Sequence, residues 1–294
     1  MSSNQMQPEE ARPISTRKAW PSEISSLADI PQTFREHFRQ KGSSFPYTVY
    51  IPANTTFFKR AYEKLLCLYD GYLSVLEDTR KGIVEKEITF DKISYIESAS
   101  ILMVQWLKIF GPSPLTVHYH KMAESYLGKI ITDIRRKICS MDKTAEHTEA
   151  EEKLLESLKT TSFKYLTTAK DMLLDEETVT NVIFQPEIKR KISQKRGKQT
   201  ITEHLSSHAT ILTSSEIIHI REEKRKVLAK KPSYGTVTLM IPLQRVDKVE
   251  LTTDRAEELK RLTVYVLDTH NLEFLYDFDN SSVDGFAKMI SDCV

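Results

Sequence analysis

Glycine is scarce in this chain, 8 of 294 residues, and neither GxGxxG nor GxxxxGK[ST] occurs. That excludes the usual glycine-rich phosphate cradles of dinucleotide and nucleotide enzymes. Cysteine is scarcer still. Cys67, Cys139 and Cys293 stand far apart with no CxxC pair, which argues against a thiolate zinc site, and a sparse odd count fits a reducing compartment. No GxSxG elbow marks a serine nucleophile. Long apolar runs are missing too. The most apolar stretch, residues 101–110, is broken by Gln105 and Lys108 and is too short to span a bilayer. The N-terminus, MSSNQMQPEEARPISTRKAW, has no apolar core of a signal peptide. Charge of one sign is absent as well: 42 Lys+Arg against 41 Asp+Glu give a formal net charge of +1. A dedicated nucleic-acid binder is usually strongly basic. These absences leave no catalytic constellation, and the expectation is a cytoplasmic, non-enzymatic protein that needs no cofactor.

What is present is β-pattern and helical pattern in alternation. Residues 1–31 are polar and carry Pro8, Pro13, Pro21 and Pro31, which predicts a flexible arm. From Pro46 onward, β-rich runs at 48–51, 65–68, 72–77, 84–90, 93–96, 101–109 and 115–119 are separated by turn chemistry such as Asp70-Gly71 and Gly111-Pro112. The period then changes. Met122, Tyr126, Ile130, Ile134 and Ile138 recur at i+4 and predict a helix closed by Arg135, Arg136 and Lys137 at its C-terminal dipole end. Residues 144–177 hold no Gly or Pro and predict a helical connector. After a strand at 179–184 come a basic stretch and six more β runs. A final helix follows, with Ser281 and Ser282 at its start and Val283, Phe286, Ala287 and Ile290 as its apolar stripe.

The two halves read as a repeat. Leu65 to Leu76 and Ala209 to Ile220 each form an apolar strand, a polar tight turn and an apolar strand. A charged loop follows in each. Then Ile88-Thr89-Phe90-Asp91-Lys92-Ile93 matches Ile241-Pro242-Leu243-Gln244-Arg245-Val246, with Thr89 standing where the second copy has Pro242. This order, carried by residues 213–220, by IPLQRVDKVEL at 241–251 and by the helix after Asn280, resembles the pleckstrin-homology-like superfamily, in particular its bacterial and GRAM-like domains. The resemblance implies an α+β fold of two small β-barrels or bent sheets, each closed by a C-terminal helix. It places them at 32–143 and 179–294, after the arm and on either side of a helical connector at 144–178. It also implies an intracellular binding or scaffold protein that engages a protein partner or an anionic lipid surface, peripheral at the membrane in the latter case, and that can self-associate.

Two basic clusters are the candidate sites. Arg221, Lys224, Arg225, Lys226, Lys230 and Lys231 fall in the loop after the second strand of the second copy, where the resemblance implies head-group contacts. Lys189, Arg190, Lys191, Lys195, Arg196 and Lys198 form a second patch with no acid between Glu187 and Glu203. That patch also suits nucleic-acid phosphates, the rival reading. A solvated loop is the bland alternative for both. His118 and His120 form an HxH that could be half a metal site, against an ordinary strand end. Tyr47, Tyr50, Phe57, Phe58 and Tyr62 suit a partner groove or a core. Cys67 reads as a buried hydrophobe, and Asp171, Asp175 and Glu176 as a solvated helix end.

Overall fold

The computed structural model describes residues 20–38, 44–56, 59–79, 81–101, 104–140, 148–159, 162–193, 200–225, 233–267 and 270–294. In chain order these form β1 (Ser22–Ile24), α1 (Gln32–Arg35), β2 (Tyr47–Ile51), β3 (Asn54–Thr56), β4 (Lys59–Ala61), β5 (Lys64–Leu68), β6 (Tyr72–Thr79) and β7 (Gly82–Thr89). Then come β8 (Tyr95–Ile101), β9 (Val104–Phe110), β10 (Leu115–His120), α2 (Glu124–Ile138), α3 (Glu149–Lys159) and α4 (Phe163–Met172). The remainder is β11 (Val179–Gln185), β12 (Ile188–Ser193), β13 (Thr200–Leu205), β14 (His208–Thr213), β15 (Glu216–Arg225), β16 (Ser233–Pro242), β17 (Val246–Asp254), β18 (Leu259–Val266), β19 (His270–Asp277) and α5 (Ser282–Cys293). The chain falls into two compact units. One holds the residues up to Phe90 with His118–Ile130, the other Asp91–Val117 with Ile131–Val294.

In the first unit a five-stranded sheet has the order β1-β2-β5-β6-β7. Its centre is β5, whose five residues KLLCL are all buried. A strand covered on both faces loses the in–out alternation of a half-exposed one and reads as a continuous apolar run. Leu65, Cys67 and Leu76 pack with Ile24 of β1 and with Ile30 and Phe34 from the segment between β1 and β2. Each such side chain contributes roughly 1.5–3 kcal/mol on burial. Lys64, buried in this run, is compensated by the Glu77 carboxylate at 2.8 Å and by the Tyr62 carbonyl. At the outer edge, β7 has exposed Val84, Glu85, Lys86 and Glu87.

The second unit is built on a seven-stranded sheet, β10-β9-β8-β16-β15-β14-β11, and a three-stranded sheet, β17-β18-β19. All six residues of β14 are buried, and the two faces explain why. On one side Ala209 and Ile211 meet α3 and α4 through Leu155, Leu158, Tyr165 and Leu166. On the other, Leu212, Ile217 and Ile241 meet Leu262, Val264 and Phe274 of the small sheet, with Phe286 and Ile290 of α5 completing the cluster. The stripe of α5 is buried as its spacing predicts, with Val283, Phe286 and Ile290 at 0 % exposure. Ser281 stands at the N-cap, but with φ −71° and ψ −20° its side chain makes no cap bond. Within β8 and β9, Trp106 Nε1 donates to Glu97 Oε1 at 2.8 Å and Lys108 Nζ reaches the same oxygen at 2.6 Å.

The expectation of an α+β pair of small barrels or bent sheets, each closed by its own C-terminal helix and joined by a helical connector, is overturned. The sheets are several and mostly antiparallel, none closes into a barrel, and the helical share is modest. The physical reason lies in one ladder. β8 pairs antiparallel with β16, from Met240↔Ile96 to Gly235↔Ile101. A strand edge that closure would need instead extends an open sheet across the two sequence repeats.

Candidate functional site

The strand register brings the described parts of both basic clusters to one end of the seven-stranded sheet. Gln185 of β11 pairs with His208 of β14, His208 with Arg221 of β15, and Arg221 with Val237 of β16, so these four residues form one row across the strands. Just past Gln185 the chain enters the β12–β13 hairpin, in which Lys189 opposes His204, Arg190 opposes Glu203 and Lys191 opposes Thr202. Past the same row β15 and β16 run on as a second hairpin, from Glu222↔Thr236 to Arg225↔Ser233. Within the basic stretch 187–198, residues 188–193 are thus strand, where a solvated loop is the bland reading of the sequence. Residues 187–205 and 221–231 together carry twelve cations and four carboxylates, in a chain whose net charge is +1. Six of those cations and all four carboxylates lie among the described residues.

Among the basic residues with described side chains, Arg221 donates from Nη1 to Glu223 Oε2 at 3.0 Å, with 42 % of its side chain exposed. Lys189 is exposed, its Nζ 3.7 Å from Glu187. Exposed pairs of this kind are worth about 0–1 kcal/mol, so an incoming anion can displace them cheaply. Lys224 and Arg225 lie in β15, and Arg190 and Lys191 in β12. Lys226, Lys230, Lys231, Lys195, Arg196 and Lys198 lie outside the described residues.

Beneath this end sit two buried histidines. His219 Nδ1 is 2.9 Å from Thr210 Oγ1, which is 2.7 Å from the Tyr276 hydroxyl. His219 stacks on Phe274, and His208 lies against both His219 and Tyr276. Burial lowers the pKa of His208 to about 4, and Arg221 adds to the shift. His219 is pushed well below the usual imidazole range by burial and by His208. Both are neutral at neutral pH, so neither adds to the charge that Lys and Arg bring to this end.

The remaining candidates are not brought together. His120 accepts the Met122 N–H on Nδ1, and no group of three metal-binding side chains occurs among the described residues. Burial pushes the Cys67 thiol up to about 12, so it stays protonated. Tyr50 is buried and donates to Glu63, and Tyr47 lies under Lys129 Nζ at 3.8 Å. Phe57 and Phe58 lie outside the described residues. Asp175 and Glu176 face Arg136 at 4.0 and 2.8 Å.

One polar cluster escaped the sequence reading. Arg135 was grouped with the cations at the end of α2, yet it is buried. Its Nε and Nη2 donate to Glu216 Oε2 at 2.8 and 2.6 Å, Nη2 to Glu177 Oε2 at 3.2 Å, and Nη1 to the Met172 carbonyl at 2.7 Å. Glu177 also accepts from Thr213 and Ser215, and Glu216 from the Cys139 thiol. Burial opposes the charge on Arg135, but Glu216 and Glu177 outweigh it and its pKa is raised. Burial and Glu216 raise that of Glu177. The signal in the sequence was the i+4 step from Ile131 to Arg135, which sets the arginine on the helix's apolar stripe.

Among the described residues no helix is long and apolar enough to cross a membrane. No protein-family model matches the chain, and no curated protein matches it.

Proposed function

We propose that this chain is a non-enzymatic binding protein of the cytoplasm that docks peripherally on anionic lipid surfaces through its two basic hairpins. The observation that carries the reading is the row Gln185–His208–Arg221–Val237, beyond which both hairpins leave the sheet on one side. A planar array of like-charged surfaces is met best by cations presented from one end of a rigid support, and each basic residue near such a surface contributes about 1 kcal/mol. The pattern resemblance to pleckstrin-homology-like domains, a superfamily of binding modules, adds to this reading.

The test is co-sedimentation with vesicles of phosphatidylcholine alone and of phosphatidylcholine with phosphatidylserine. Binding is expected to the second only and to fall with salt. Reversing Lys189 and Lys224 to Glu should weaken it by roughly fivefold or more per residue. Equal binding to both vesicles, or to neither, overturns the proposal. So does stoichiometric binding to duplex DNA with a steep salt dependence when the anionic vesicles are left unbound.

A further inference from the structure

The repeat leaves one strand edge covered in the second copy, while among the described residues the equivalent strand ends its sheet in the first. Single-turn helices at Phe90–Lys92 and Leu243–Arg245 mark equivalent points. Counted from them, β7 corresponds to β16 and β8 to β17, and Gly82 stands where Gly235 does. In β16 the far edge is taken by β8. A Cβ at Gly235 would meet Ile101 and, at 2.6 Å, the Ser100 carbonyl oxygen, whereas one at Gly82 meets nothing within 4 Å. Burial agrees. Val237, Thr238, Leu239 and Met240 are buried, but their equivalents Val84, Glu85, Lys86 and Glu87 are exposed. β17, the equivalent of β8, ends its own sheet and is exposed from Thr252 to Asp254.

The hydrogen-bond phase of the two edges also matches. Antiparallel ladders alternate bonded and non-bonded pairs. The Phe90 N–H to Gly71 carbonyl bond fixes the phase of β6–β7 and turns the N–H groups of Ile83, Glu85 and Glu87 away from β6. The Phe278 N–H to Glu258 carbonyl bond fixes that of β18–β19, and through β18 turns those of Val249, Leu251 and Thr253 away from the small sheet. Carrying the β8–β16 register over to the bare edges sets Ile83 opposite Thr253, Glu85 opposite Leu251 and Glu87 opposite Val249, so every outward N–H meets an outward carbonyl. The same register sets Lys86 opposite Glu250, a non-bonded pair in which the side chains approach most closely.

We propose that β7 of one copy of this chain pairs antiparallel with β17 of another, repeating between molecules the ladder that β8 makes with β16 within one. The two surfaces are different, so the contact is head-to-tail and leaves a β7 and a β17 free at the ends of every open assembly. This goes beyond the lipid-surface reading and does not depend on it.

Sedimentation velocity of the full chain over a concentration series tests it. The wild type should grow past a dimer as concentration rises. Glu85→Pro removes an outward N–H from β7 and leaves its backbone bonds to β6, losing only the Ser74 hydroxyl contact to the Glu85 carboxylate, and Thr253→Pro leaves the backbone bonds of β17 to β18 in the same way. Each variant alone should stay monomeric, and an equimolar mixture should give dimers and nothing larger. Circular dichroism and thermal melts report whether the variants fold. Should either proline variant not fold, Lys86→Glu and Glu250→Lys take their place. Each alone should weaken association by roughly threefold or more, and their mixture should restore it. A wild type that stays monomeric at every concentration overturns the proposal. So does either proline variant dimerising by itself, because that requires like edges to pair, or a charge-reversed mixture no stronger than its components.

Discussion

Replacing Arg135 with methionine keeps most of the aliphatic stem and removes the cation bonded to two buried carboxylates, Glu177 and Glu216. Four donor contacts disappear, three to carboxylate oxygens and one to the Met172 carbonyl. Breaking a buried ion pair by deleting one partner costs about 3–5 kcal/mol, because the other charge is stranded out of water. Against a typical domain stability of 5–15 kcal/mol that is a large fraction. The loss should depend on pH, and the sign follows from Glu177. Its carboxyl is already held above the ordinary range by burial and by Glu216, against the pull of Arg135. Without the guanidinium it rises further. A folded-state pKa above the unfolded one gives stability that is full below the ordinary glutamate range and is lost as pH climbs through the raised value. The Arg135→Met deficit should therefore be smaller near about pH 5 than near about pH 8. Urea unfolding of wild type and variant at both pH values, followed by circular dichroism, measures it. A triple variant that adds Glu177→Gln and Glu216→Gln should recover part of the loss, since no charge is then stranded. A deficit under about 1 kcal/mol at the higher pH, or one independent of pH, would refute the claim that this cluster is a buried charge balance.

Acid should weaken the fold through His208. Its folded pKa of about 4 lies below the unfolded 6.5, so its contribution is full above 6.5 and drains as pH falls toward 4, amounting to about 3 kcal/mol. Glu177 acts in the opposite sense over its own range, so the comparison to make is wild type against His208→Gln, which should show the shallower fall in urea midpoint. Gly235→Ala should destabilise by about 1–3 kcal/mol, because β8 lies where the new methyl must go. Gly71→Ala, with open space around it, is the control in a thermal melt.

How much of this was legible in the sequence depends on whether the signal is local. The stripe Val283, Phe286, Ala287, Ile290 announced α5, since a helix writes its buried face at fixed spacing. β5 and β14 announced themselves as short apolar runs. The run at 101–109 reads as one strand, but β8 ends at Ile101 and β9 begins at Val104, with no Gly or Pro between them. Residues 188–193 lack strand-like composition, and only their pairing with 200–205 makes them a strand. Least legible was the partner of β8. A strand's sequence states that an edge exists and not which strand will take it, so two barrels were as compatible with the pattern as one shared sheet. For the same reason the two basic segments stand apart in the sequence, and only the register places their described strands at one end.

The ladder between β8 and β16 also says how the chain must be made. Residues near position 100 wait, as the chain is synthesised, for partners near position 235. Until these emerge, β8 offers a bare edge beside Ala99 and Ile101 that are buried once β16 arrives. Loop closure over that span is slow compared with any hairpin in the molecule. The first repeat is therefore not a module that can be cut out and kept. A fragment ending in the helical region 144–178 should keep β8 paired to β9 but leave its other edge open and aggregate through it, whereas the whole chain buries the same strand in the middle of its largest sheet.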